Sequence, residues 1–209
     1  QNTVTNIKTM FGLDKYDVDG FSYSYSSLLV NGANLTKDYS DTYYFDKDMA
    51  QVQADLKATF PGASVEITSY DSKKERWIAK VSGADYGIEY YFYDQKNVSI
   101  ALLASAYPKY DPRKGGVVKR FDYVTKDEVS IDAYLTLPRQ KTDQKPPLIV
   151  LPHGGPEARD DMDFYWERQF FATHGYAVFQ PNFRGSSGYG RHFAKSGYGE
   201  WGRKMQSDV

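Results

Sequence analysis

Pro147–Pro156 reads P-L-I-V-L-P-H-G-G-P. Leu148, Ile149, Val150 and Leu151 form an unbroken apolar run, too short for a helix and followed at once by glycines. Such a run predicts a strand buried on both faces of a parallel sheet. The chemistry then changes. His153-Gly154-Gly155-Pro156 is a turn in which two successive residues lack a Cβ, so backbone N–H groups can come close to a ligand and point at it.

Working outward, Val117–Thr125 and Val129–Leu137 read as a hairpin across Lys126-Asp127-Glu128, joined to the apolar strand by the polar, proline-rich connection Pro138–Pro147. On the other side, Asp161 or Asp163 is the predicted cap of a helix running to about His174. Phe164, Arg168, Phe171 and Ala172 lie near one face of that helix, and Gly175 is its stop. Tyr176–Gln180 is a second short apolar strand, so two parallel-type strands flank one helix in a βαβ unit. The glycine-rich loop Asn182–Gly190 follows. Both glycine-rich turns then lie beyond the carboxyl ends of the strands, where open α/β sheets bind their ligands.

The first half of the chain has a different rhythm. Ser64–Tyr70, Arg76–Val81, Ile88–Tyr93 and Val98–Ala104 alternate with short polar turns, an antiparallel meander of the size of one β-propeller blade. A sandwich or barrel piece fits the same alternation. No second copy of the unit is evident. Ahead of it, Met49, Val52, Leu56 and Phe60 mark one face of a helix capped by Asp46 or Asp48 and ended by Pro61-Gly62. Phe21–Tyr25 alternates as a strand, Asn31-Gly32 signals a turn, and Tyr43-Tyr44-Phe45 starts another strand. Pro108–Gly116, with two prolines and two glycines, is the expected domain boundary.

Bulk composition removes several classes of function. The net charge of −1 over 209 residues gives no case for nucleic acid or an anionic membrane surface. With no cysteine, disulfides, thiolate catalysis and cysteine zinc sites are excluded. No apolar run approaches the ~20 residues of a membrane span. Lys73-Lys74-Glu75-Arg76, the longest basic cluster, reads as a solvated hairpin turn. The Asp-containing stretch Tyr39–Asp48 lacks the glycine and glutamate of a calcium loop and also reads as solvated. No metal or other cofactor is expected. Asn34-Leu35-Thr36 and Asn97-Val98-Ser99 match the glycosylation pattern without saying more. The chain starts at Gln1 and shows no signal-peptide pattern, so it is expected to be processed or cut from something longer. Its compartment, periplasmic, secreted or cytoplasmic, is left open.

Three readings fit the glycines. Phosphate binding is the weakest, because Gly185-Ser186-Ser187-Gly188-Tyr189-Gly190 matches neither G-x-G-x-x-G nor G-x-x-x-x-G-K-[ST]. Plain strand–helix turns are the second. The third is an oxyanion hole: in α/β-hydrolases one donor comes from an H-G-G-G-type loop after the third strand, and His153-Gly154-Gly155 follows the third strand of this half.

Three stretches in order, L-I-V-L-P-H-G-G-P, G-Y-A-V-F-Q-P-N-F-R-G-S-S-G-Y-G and G-Y-G-E-W-G-R-K-M-Q-S-D-V, resemble the serine peptidases of the prolyl oligopeptidase family. The resemblance is good from about Tyr123 to Val209 and looser back to Phe60, through F-P-G-x-x-V-x-I-x-S-x-D and Y-Y-F-Y-D. It implies a partial β-propeller (all-β) over residues 1–115, followed by the first half of an α/β-hydrolase domain over residues 116–209. The turn has no tyrosine, which resembles the acylaminoacyl-peptidase branch. There the second glycine donates its backbone N–H, so the resemblance makes Gly155 the donor and Gly154 the residue that lets the turn form. His153 belongs to the same turn, and Arg184 matches a family arginine, read as bracing the loop.

The family's nucleophile elbow, G-x-S-x-G, is not found. Ser187 has Gly185 before it but Tyr189 after it; Arg184 and Ala194 stand two before Ser186 and Ser196. None of His153, His174 and His192 follows a nucleophile and an acid, and His174 reads as solvated or capping. The chain is therefore expected to be an internal piece of a serine peptidase of short peptides, inactive alone, with its nucleophile elbow some thirty to forty residues beyond Val209. Without the nucleophile strand, the strand at Leu148 is expected to be an aggregation-prone apolar edge. Short peptides are the expected partner, with a homo-oligomer left open. An esterase of the same fold and a non-catalytic propeller-based interaction module are the alternatives.

Overall fold

The computed structural model describes residues 9, 11–24, 28–140 and 144–209. Tyr25, the end of the first alternating run, lies outside the described residues, as do residues 141–143 of the proline-rich connection.

The first sheet has the order β1-β2-β3, all antiparallel, from β1 (Gly20–Tyr23), β2 (Val30–Thr36) and β3 (Ser40–Tyr44). Two expectations fail here. Asn31-Gly32 lies inside β2 and is not a turn. A Cβ on Gly32 would stand 2.9 Å from Thr42 Cγ2 and 3.0 Å from the Tyr43 carbonyl, so the glycine serves close approach of β3. Tyr43-Tyr44 closes a strand rather than starting one, because Asp46 takes the chain straight into a helix.

That helix, α1 (Lys47–Thr59), is capped by Asp46, whose carboxylate accepts from the N–H groups of Asp48 and Met49 at 3.0 and 3.1 Å. Met49, Val52 and Leu56 form its buried face. They pack on the second sheet, a meander of β4 (Ser64–Tyr70), β5 (Arg76–Gly83), β6 (Gly87–Asp94) and β7 (Ser99–Ser105) in sequential order. The core centres on Trp77, Val65, Val81 and Tyr93 against Val52 and Leu56. The basic turn after β4 is not merely solvated: Lys74 adopts a positive φ of 54° and its ammonium returns to Asp46 and Asp48 at the helix start. These two sheets are open antiparallel structures and do not by themselves close a ring of blades.

The second half contains β8 (Val117–Val124), β9 (Ser130–Leu137), β10 (Leu148–Val150), α2 (Trp166–Thr173) and β11 (Ala177–Pro181), followed by the short helices α3 (Arg191–Lys195) and α4 (Lys204–Asp208). The sheet order is β10-β11-β9-β8; β10 and β11 are parallel, and the other pairs antiparallel. The hairpin and the βα-strand succession are as expected. The burial of the Leu148 strand is not. β10 is the sheet edge, with Leu148 58% and Val150 43% exposed, because only β11 pairs with it. It presents the open apolar edge anticipated above.

α2 also starts later than expected. Its N-cap residue is Tyr165, and Asp161 instead accepts from the Asp163 N–H at 2.8 Å. The cause is Arg168, fully buried, which donates to the carbonyls of Asp161 and Asp163 and so holds that segment outside the helix. The segment expected to be a domain boundary is packed: the rings of Tyr107 and Tyr110 lie 4.9 and 4.8 Å from Phe164. The Gly116 N–H donates to Gln169 Oε1 at 2.6 Å. A Cβ on Gly116 would lie 2.5 Å from Ala172 Cβ, so only glycine lets α2 sit this close. Among the described residues, no helix is long and apolar enough to cross a membrane.

Candidate active site

The His153–Pro156 turn leaves the carboxyl end of β10, after the Leu151 N–H donates to the Phe179 carbonyl at 2.8 Å. Gly155 has φ +131° and precedes a cis peptide bond to Pro156. A Cβ there would stand 2.8 Å from the Glu157 nitrogen, so the position accepts only glycine without displacement. His153, Gly155 and Phe183 line a cavity of about 310 Å³, together with Trp201, Met205 and Val209. Gly154 and Gly155 are exposed. The two glycine-rich stretches, thirty residues apart in sequence, are thus brought to one place.

His153 is fastened there. Its ring stacks on Phe183 with centroids 4.6 Å apart and planes 15° apart. Its Nε2 lies 2.9 Å from Ser186 Oγ, and its Nδ1 lies 2.9 Å from the Gly154 carbonyl oxygen. Burial lowers its pKa, against the Gly154 carbonyl beside Nδ1, which raises it. The pair is not a nucleophile and its base. Ser186 is fully buried and donates its hydroxyl to the Phe183 carbonyl at 2.6 Å. His174 Nδ1 lies 2.8 Å from the Phe170 carbonyl on an exposed helix end, and the Ser196 hydroxyl donates to the Phe193 carbonyl at 2.6 Å. Among the described residues, no cluster of acids and histidines is placed to hold a metal ion.

Arg184 sits behind the glycine-rich loop, almost fully buried. Its Nε and Nη2 donate to the two oxygens of Asp208, each at 2.7 Å. Its Nη1 and Nη2 also donate to Asp127 at 2.9 and 2.7 Å. Hydrogen bonds from Arg184, then from Thr125, hold the Asp127 carboxyl well below the ordinary range. Arg184 therefore joins the β8–β9 turn, the loop after β11 and α4.

The sequence reading missed a buried cluster around Asp160. Asp160 Oδ1 accepts from Gln180 Nε2 at 2.9 Å, and Asn182 Oδ1 accepts from the Asp160 N–H at 2.7 Å. Burial pushes Asp160 up to about 6, against the nearby Arg168. Burial, then the charge of Asp161, raises Asp163 to about 6 as well. The only signal was the run Asp160-Asp161-Met162-Asp163, which helix-cap rules claimed first. Carboxyls raised in this way hold protons more firmly folded than unfolded. They stabilise the fold as pH falls from 7 toward 4 and oppose it as pH rises through 6. His153 acts oppositely, since below about 6.5 the unfolded chain takes its proton first. The isolating test is Asp160→Asn. Relative to wild type, it is expected to gain about 1 kcal/mol more stability at pH 7 than at pH 5 in urea unfolding. An equal effect at both pH values would disprove the buried-carboxyl assignment.

Residues 162–209 match the model of the prolyl oligopeptidase family. The dipeptidyl aminopeptidase BIII of Pseudoxanthomonas mexicana is 38% identical over 162 residues, covering 74% of this chain and 23% of that protein. The dipeptidyl peptidase family member 6 of Caenorhabditis elegans is 34% identical over 170 residues, covering 71% and 23%. The chain therefore spans under a quarter of the length of these relatives. The solved acylaminoacyl peptidase of Pyrococcus horikoshii superposes with a TM-score of 0.63 at 22% identity, covering 93% of this chain and 30% of that one. A solved prolyl endopeptidase superposes at 0.64 with 14% identity, covering 93% and 28%. These two likenesses concern the fold. The sequence relatives and the family match agree with the three motifs that meet around the His153 turn: the chain belongs to the prolyl oligopeptidase family.

Proposed function

We propose that this chain supplies one half of the oxyanion hole of a serine peptidase that hydrolyses short peptides through an acyl-enzyme. The backbone N–H of Gly155 is the donor, Gly154 precedes it at a position with room for a Cβ, and His153 and Arg184 brace the turn and the loop behind it. The nucleophile, acid and base are supplied from outside residues 1–209. Residues 1–115 are the end of a β-propeller and residues 116–209 the first half of the α/β-hydrolase domain. The observation that carries this reading is Gly155, with φ +131° and no room for a Cβ, at the mouth of a cavity beyond the sheet's carboxyl edge. A donor there stabilises charge as it develops on the carbonyl oxygen of the scissile bond.

The absence of a tyrosine in the turn favours the acylaminoacyl branch, whereas the names of the two relatives favour release of dipeptides. Product analysis on an N-blocked and a free tetrapeptide separates the two.

A serine-directed fluorophosphonate is expected to leave the 209-residue chain unlabelled, because Ser186 is buried, the Ser196 hydroxyl is committed to the Phe193 carbonyl, and Ser187 does not lie in a G-x-S-x-G elbow. Labelling at Ser186, Ser187 or Ser196 would overturn the assignment. A protein that contains this chain and continues through G-x-S-x-G is expected to be labelled at that serine.

A further inference from the structure

We infer that Ser186 is a positioning residue for the oxyanion turn, an inference that rests on the reading of Gly155 as donor. The turn has little packing of its own. A Cβ at Gly154 would meet nothing within 4 Å, so no neighbour presses on that residue. It is held at its two ends, by two adjacent residues of the other glycine-rich loop. At the first end, Ser186 Oγ stands 2.9 Å from His153 Nε2. At the second, the Ser187 N–H donates to the Ala158 carbonyl at 3.0 Å, and the Ala158 N–H donates to the Pro156 carbonyl at 2.8 Å.

The Ser186 end is rigid in turn. Its hydroxyl donates to the Phe183 carbonyl at 2.6 Å, and its N–H donates to the same oxygen at 3.0 Å. Phe183 also carries the His153 ring. Ser186 is fully buried, and Arg184, two residues earlier, is locked by Asp208. A fixed hydroxyl thus sets the imidazole, the imidazole sets the first residue of the turn, and the turn aims the Gly155 N–H. Without the hydroxyl, His153 Nε2 faces a dry gap, and Gly154–Gly155 are restrained at one end only. The backbone bond of Ser187 survives any side-chain change, so the loss is confined to the His153 end.

The test uses Ser186→Ala in a peptidase-active protein containing this chain. A misaimed donor weakens the transition state and leaves ground-state binding alone, so kcat is expected to fall on the order of 10–100-fold with KM unchanged. Affinity for a peptide aldehyde, which forms a tetrahedral adduct, falls by the same factor, while a product-like peptide binds as before. His153→Ala/Ser186→Ala is expected to be no slower than the worse single variant, because the two act as one unit. Hydrogen exchange is measured on the same proteins and is expected to speed up at residues 152–158 in Ser186→Ala. That measurement needs no catalysis. Unchanged exchange overturns the clamp even in an active enzyme. Faster exchange with unchanged kcat, or additive losses in the double variant, overturns the positioning role. A wild-type protein that neither cleaves peptides nor takes the fluorophosphonate overturns the peptidase reading and with it the positioning role, while exchange still decides the clamp.

Discussion

Gly155→Ala is expected to reduce kcat by about 10²–10³-fold, equivalent to ~2.7–4 kcal/mol, the range for loss of one oxyanion donor. A side chain cannot be added here quietly. The backbone has φ +131°, which L-residues with a Cβ rarely adopt, and the new methyl would meet the nitrogens of Glu157 and Ala158 at 2.8 and 3.1 Å. The turn must shift, and an N–H that moves by even ~1 Å no longer reaches the developing charge. KM is expected to change little, since the substrate carbonyl interacts weakly before attack. Gly154→Ala is the control: it has open space around it and is expected to cost far less. Steady-state kinetics on a peptidase-active protein containing residues 1–209 decide the matter. Equal losses at Gly154 and Gly155 would remove the case for a specific donor.

Arg184→Ala is expected to destabilise the fold by about 3–5 kcal/mol, the range for removing one partner of a buried ion pair. The Arg184 side chain is 4% exposed and that of Asp208 0%. Removing the guanidinium leaves the Asp208 carboxylate buried without its main partner. Asp127, 41% exposed, re-solvates at little cost. Arg184→Lys is expected to recover only part of the loss, because an ammonium cannot satisfy two carboxylates with the planar fork that holds them here. Urea unfolding with an unchanged m-value measures it. A loss below about 0.5 kcal/mol would show the network to be dispensable.

The strands of the meander and their order were legible, as were most strands of the second half. The β4–β7 meander follows from alternation and polar turns, because each strand buries one face and period 2 records that. The glycine turns and their meeting beyond the strand ends were legible for the same local reason. Solitary long-range partners were not. Arg168 resets the start of α2 through two carbonyls, which no helix-cap rule registers. Gly32 looked like a turn because the glycine signal does not distinguish a reversal of the chain from a close-packed strand. The exposure of β10 depends on which strand lies beside it, and the apolar run Leu148–Leu151 carries no such information. Among site residues, Gly154, Gly155, His153 and Arg184 stood out in motifs. Ser186 and Asp160 act through contacts across loops, and neither spacing nor composition singled them out.

Arg159 stands between the two halves of the chain. Its guanidinium donates to the carbonyls of Thr36 and Lys37 at 2.9 and 2.7 Å, donates to the Tyr189 hydroxyl at 2.9 Å, and lies 4.2 Å over the Tyr189 ring. Nearby, Arg120 pairs with Asp38 at 2.9 Å, carboxylate to guanidinium. The two fastenings respond differently to ionic strength. Added salt screens the part-exposed Arg120–Asp38 pair, whereas Arg159 is held by neutral oxygens and a ring face, contacts that depend far less on counter-ions. The junction therefore keeps its grip in concentrated salt at the Arg159 end while its acidic end slackens.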